Sequence, residues 1–183
     1  MRSPADGRRW WVVVVLAFPL FGCPYGAEVP LDTAAAPLDA RLLGRWRCVS
    51  GETEDVGTIE FQAAKGSPDH YDVQFLPCDE SDCAFRAHLT LVAGAPILNA
   101  QELKKDADKP GDWSFARYTL LRPDVLHFEL AREEPFNGVP KTQAPAIRHV
   151  FEEHMGKPDL FDEWVTCVRV KAKDGAAAPG TSR

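Results

Sequence analysis

The cysteines and histidines are the side chains in this sequence best suited to chemistry, and their spacing decides what chemistry is available. His149 and His154 in "RHVFEEH" are five residues apart, which turns them away from a shared helix face. A zinc-protease helix needs two histidines four apart with a glutamate after the first. His70 lies in a turn-like stretch, while His88 and His127 alternate within extended runs, His88 on the face expected to point outward. No nucleophile elbow, phosphate-binding loop or dinucleotide fingerprint occurs. The adjacent carboxylates Glu133 and Glu134, Glu152 and Glu153, and Asp162 and Glu163 read as solvated pairs rather than as an acid and base around a substrate. No catalytic residue, no cofactor and no enzymatic activity are therefore expected. The cysteines are five: Cys23, Cys48, Cys78, Cys83 and Cys167. Four can pair, and one needs another occupation.

Cys23 follows a segment with a clear physical character. Arg2, Arg8 and Arg9 give a basic start, and "WWVVVVLAFPLFG" (10–22) carries no charge over thirteen residues. A membrane-spanning helix needs about 20 apolar residues, so this run is too short to span. Basic start, short apolar run and small residue describe an export signal over 1–22. The tetrapeptide Leu20-Phe21-Gly22-Cys23 resembles the lipobox of bacterial lipoproteins, with leucine three before the cysteine and glycine directly before it. The resemblance implies that Cys23 becomes the first mature residue and carries diacylglyceryl and acyl chains. Two or more chains suffice for stable membrane anchoring. Pro24 follows rather than aspartate, and for such lipoproteins this favours the outer membrane of the cell envelope.

Cleavage before Cys23 removes three arginines and one aspartate, taking the net charge from −6 to −8. So acidic a chain lacks the cations that neutralise phosphates, and nucleic acid is excluded as a partner. In an oxidising compartment the four remaining cysteines read as disulfides. Cys78 and Cys83 enclose only "DESD", which makes a local bridge the simplest and leaves Cys48 with Cys167. These scattered cysteines lack the paired spacing that zinc favours, so no metal is expected.

The rest of the chain alternates. "YDVQF" (71–75) places Tyr71, Val73 and Phe75 on one face; "FRAHLTL" (85–91) does so with Phe85, Ala87, Leu89 and Leu91. This is the period of half-buried strands. "GRWRCVS" (44–50), "GTIEFQ" (57–62), "PILNAQEL" (96–103), "WSFARYTLL" (113–121), "VLHFEL" (125–130) and "EWVTCVRV" (163–170) add six more, separated by Gly-, Pro- and Asp-rich turns. Between the last two, 144–155 repeats its apolar residues at three and four, a helical spacing stopped by Gly156 and Pro158. The expected fold is mainly β: an antiparallel, eight-stranded up-and-down barrel with one helix before the last strand. The barrel domain is expected over 42–171, after a lipidated Cys and Pro/Ala-rich tether over 23–41 and before a disordered tail at 172–183.

Gly44-Arg45-Trp46 on the first strand resembles the opening motif of lipocalins and other calycins. Kinship with them implies a closed barrel whose base is sealed by Trp46, with Arg169 packed across it. In a closed meander the first and last strands are neighbours, so the same juxtaposition serves Cys48 and Cys167. A small barrel either fills with side chains or holds one small ligand. Tyr71, Phe75, Phe85, Leu89, Trp113, Phe115, Tyr118 and Phe128 are the candidates to line it. The favoured reading is a lipid-anchored envelope protein whose barrel binds a small apolar ligand or lipid. The alternative is a filled barrel that grips an envelope protein through its loops, 78–83 or 133–145, as a protease inhibitor or assembly factor would.

Overall fold

The computed structural model describes residues 24–33, 36–50, 56–76, 83–103 and 111–171. Cys23, residues 1–22 expected to be an export signal, and residues 172–183 expected to be a disordered tail lie outside the described residues. The strands are β1 (Gly26–Ala27), β2 (Gly44–Ser50), β3 (Val56–Ala63), β4 (His70–Leu76), β5 (Ala84–Val92), β6 (Ala95–Glu102), β7 (Trp113–Arg122), β8 (Val125–Ala131) and β9 (Phe161–Arg169). One helix, α1 (Ala144–His154), precedes β9. Each of β2 to β9 pairs antiparallel with its sequence neighbour, and β2 with β9 closes the eight-stranded up-and-down barrel. Closure leaves neither β2 nor β9 with an open edge.

Alternation decides which side chains face inward. Trp46 and Cys48 on β2, Ile59 and Phe61 on β3, Tyr71 and Val73 on β4, Ala87 and Leu89 on β5, and Phe128 on β8 form one buried cluster. At the seam Cys48 stands opposite Cys167 with Cα atoms 3.9 Å apart, and the two are disulfide-bonded. Cys83 is also disulfide-bonded, and its expected partner Cys78 lies outside the described residues. Tight turns between β5 and β6 and at the start of β2 require unusual backbone. Ala93 and Gly94 both have positive φ, as a two-residue hairpin loop demands. Gly44 has φ +111°, and a Cβ there would lie 3.2 Å from the Arg169 guanidinium.

A second cluster lies outside the barrel. Ile147 and Phe151, four apart on α1, pack with Phe115, Ile97, Phe136 and Phe161 on the outward faces of β6, β7 and β9 and the connecting loop. Two sequence-based expectations are corrected here. Trp113 and Phe115 do not line the interior: Phe115 belongs to this outer cluster and Trp113 packs against it. Both faces of β7 are apolar because α1 covers the outer one, so alternation alone cannot tell inside from outside.

The expected tether is the second correction. Residues 24–33 form a packed strap. Tyr25 is fully buried, stacks on Phe136 at 4.0 Å, and its amide donates to the Ala131 carbonyl at 2.8 Å. Gly26 and Ala27 pair with Ser114 and Trp113 of β7, where β8 has ended. Leu31 is buried, its amide donating to Oδ1 of the buried Asn99 at 2.9 Å, and Ala36 bridges Leu89. Pro and Ala enrichment marks a lack of helical or strand period, but Tyr25 and Leu31 supply enough apolar surface to seat the segment.

Candidate functional site

The barrel has two unlike halves. At the Trp46 end the indole Nε1–H donates to the Leu42 carbonyl at 2.7 Å. The Arg169 guanidinium stacks on the Trp46 ring, 4.1 Å from its centre, and donates to the carbonyls of Leu43, at 2.6 Å, and Arg41. Trp46 and Arg169 are opposed in the β2–β9 ladder, which fixes this stack. Asp39 crosses the same end. Its amide donates to the Tyr71 hydroxyl at 2.7 Å, and its carboxylate accepts from the Tyr118 hydroxyl at 3.0 Å and from Arg41 at 2.7 Å. The hydrogen bonds from Arg41 hold the Asp39 carboxyl below its ordinary range. Burial pushes the Tyr71 phenol up to about 12 and raises the Tyr118 phenol as well. Both tyrosines stay neutral and serve as structural bonds in the plug.

The other half is apolar and incompletely filled. A cavity of about 170 Å³ is bounded by Phe61, Phe75, Phe85, Leu98, Phe128 and Trp164 among others, with Pro24 of the strap at its rim. Ser114 supplies the one hydroxyl among its lining side chains. Phe75 meets Phe85 edge-on at 5.3 Å and Trp164 at 5.7 Å, and Trp164 meets Phe128 at 6.2 Å.

Of the eight residues proposed to line the interior, Phe75, Phe85 and Phe128 border this cavity. Tyr71, Leu89 and Tyr118 lie in the inner cluster, with both tyrosines bonded into the plug. Trp113 and Phe115 are outside. Trp164 escaped the sequence reading for a physical reason. Alternation from Cys167 puts Val165 inward and Trp164 outward, but the β8–β9 ladder shifts register between Phe128 and Glu129 and the pattern fails there. Ile59 and Phe61 also line the cavity and were missed, although the plain alternation of "GTIEFQ" carries the signal for them.

His88 does lie on the outer face, but it is only 3 % exposed because the strap covers it. Its Nε2 is 3.0 Å from the Asp32 carbonyl, an acceptor, so Nε2 carries the proton and donates. Nδ1 is then a buried lone pair with no partner among the described residues. Burial lowers the His88 pKa. Among the described residues no three His, Cys, Asp or Glu side chains converge as metal ligands would. No helix of the described residues is long and apolar enough to cross a membrane. No family model, no curated protein and no solved structure matches this chain.

Proposed function

We propose that this is a lipid-anchored protein of the bacterial cell envelope whose lipocalin-like barrel binds a narrow apolar ligand. The observation that carries the reading is the unfilled, aromatic-lined cavity beside Trp164, with a hydrogen-bonded plug at the opposite end. A dry apolar cavity of about 150 Å³ is enough to take up benzene. The cavity here is of that order, below the roughly 300 Å³ at which drug-sized ligands begin to fit. It suits one hydrocarbon chain or a small aromatic rather than a bulky molecule. The Gly44–Trp46–Arg169 arrangement is the one expected of a calycin, and it supports kinship with that group. The "LFGC" sequence supports an acylated Cys23, and Pro24 after it supports the outer membrane. A filled barrel acting through its loops leaves the space beside Trp164 without a use.

Titration of the purified protein with a fluorescent fatty acid tests the reading. Saturable binding that an unlabelled fatty acid displaces is the expected result. Linear, non-displaceable uptake would sink it. Mass spectrometry of the mature N-terminus tests the anchor, for which a free Cys23 thiol is the adverse outcome.

A further inference from the structure

The lining of the cavity is uneven. Phe61, Phe75, Phe85, Phe128 and Trp164 contribute rings from β3, β4, β5, β8 and β9. On β6 and β7 the lining includes three small side chains, Ala100, Ser114 and Ala116. Ser114 shares the inward parity of Ala116, two residues on, and stands opposite Ala100 on one side and Gly26 of the strap on the other. Ladder neighbours on both sides fix its backbone, so a single torsion sets where its hydroxyl points. An alanine there would complete an apolar lining. Serine instead brings the one hydroxyl among the lining side chains, and among the described residues no protein group is hydrogen-bonded to it. A polar group held against apolar surface without a partner is costly. A ligand with a matching group removes that cost.

We infer that the cavity takes a compact, uncharged aromatic ligand with one hydrogen-bonding group, a phenol or a molecule like it, and that Ser114 bonds that group and sets the ligand's orientation. This rests on the reading of the cavity as a ligand site. Size is the first reason: about 170 Å³ is close to the roughly 150 Å³ that admits benzene, with a margin for one substituent. A long chain would have to continue outside it. The walls favour a ring as well, since Phe75 meets Phe85 at 75° and Trp164 at 53°, and Trp164 meets Phe128 at 60°. Rings prefer such edge and tilted contacts, and an aromatic ligand can extend them where an alkyl chain cannot. Charge is excluded because no ionisable side chain among the described residues lines the cavity to offset lost hydration. One serine hydroxyl, able to donate or accept, matches one polar group.

Fluorobenzene and 4-fluorophenol differ by one hydroxyl and serve as the probes. Ligand-observed fluorine NMR follows each against the full chain in phosphatidylcholine nanodiscs, with empty nanodiscs titrated alongside to subtract partition into lipid. Both probes should bind the native chain. Ser114→Ala should weaken 4-fluorophenol about tenfold and leave fluorobenzene within about twofold, since only the phenol loses a bonding partner. Retained fluorobenzene binding also reports that the variant is folded with its cavity open. If Ser114→Ala changes both probes alike, or changes neither, the hydroxyl does not select the ligand; the inference is overturned and the cavity reading stands. The same holds if the native chain takes up fluorobenzene but not 4-fluorophenol. If neither probe binds beyond the empty nanodiscs, the cavity reading falls and the inference falls with it. Ala116→Leu controls for place and should weaken both probes, because it occupies the space beside Ser114. Binding that Ala116→Leu leaves unchanged lies elsewhere on the protein and overturns the inference.

Discussion

The two ends of this barrel are built from the same alternation and do opposite things. At one end Trp46, Arg169, Asp39, Tyr71 and Tyr118 are joined by directional bonds. At the other, Phe75, Phe85, Phe128 and Trp164 meet only by ring contacts and leave about 170 Å³ empty. A buried polar network is stable only when fully satisfied, so it fixes one closed geometry. Apolar side chains have no such requirement, and a gap among them costs only the dispersion contacts it forfeits. Sealing is therefore assigned to the polar end, and space to the apolar one. The strap begins at Pro24 on the cavity rim, and Asp39, six residues after its end, sits in the plug.

The largest expected effect comes from unpinning the seam at the sealed end. The Cys48–Cys167 bridge spans 119 residues. Replacing both cysteines by alanine is expected to lower stability by about 4–5 kcal/mol, read as a shift in the denaturant midpoint. A loss under about 1 kcal/mol would mean that the β2–β9 ladder holds the barrel closed without it. Next is Trp46→Ala, which removes the fully buried ring and should cost about 3–5 kcal/mol. Arg169→Ala strips the stack and the donors to Leu43 and Arg41, and should cost about 2 kcal/mol. If the two ends are separate devices, neither Arg169→Ala nor the double cysteine replacement changes the affinity for an apolar probe in protein that remains folded. Loss of binding in both would make the plug part of the ligand site.

How far these ends were legible follows from what each rests on. The strand ladder was readable because Tyr71, Val73 and Phe75, or Phe85, Ala87 and Leu89, alternate without interruption and a meander needs only neighbour pairing. The seam was readable because Trp46 and Cys48 share parity, as do Cys167 and Arg169, and the registers Trp46 to Arg169 and Cys48 to Cys167 match it. Where a face was covered by a distant segment, alternation lost its meaning. Phe115 lies under α1, and His88 lies under the strap. Such cover depends on contacts 30 to 70 residues apart, between Phe115 and Phe151 or Leu31 and Asn99, which no local period encodes. Trp164 was lost to a single register shift. The plug residue Asp39 was also missed, since one aspartate in a Pro/Ala-rich stretch carries no signal until Tyr71 and Tyr118 are beside it.

His88 offers a smaller test, through the strap that covers it. Its folded pKa lies below the 6.5 of a free histidine because burial disfavours the charged ring. The unfolded chain therefore binds a proton that the folded one resists. Stability is full above about 6.5 and falls as pH drops below it toward the folded value. His70, 5.1 Å away ring to ring, and the carboxylates of Asp69 and Asp32 also face this site and shape its response. His88→Gln can still donate to the Asp32 carbonyl but does not titrate in this range. Thermal melts at pH 7.5 and 5.5 should differ more for the native chain than for this variant. An equal acid shift in both would remove His88 as the cause.

The smallest expected change in stability separates the two ends most cleanly. Ala116 borders the cavity, whereas Ala87 is fully buried in the inner cluster and is not among the residues that line it. Adding the same three carbons at each should have different consequences. Ala116→Leu grows into existing space, so its stability should stay within about 1 kcal/mol of the native chain while apolar-probe affinity falls about tenfold. Ala87→Leu grows into packed side chains and should cost about 1–3 kcal/mol with affinity retained. Were Ala116→Leu as disruptive as Ala87→Leu, the space beside Trp164 would not be free for a ligand. Were Ala116→Leu stable with unchanged affinity, the probe would be binding elsewhere on the protein, and the contrast between a sealed end and a receptive one would no longer explain what the barrel holds.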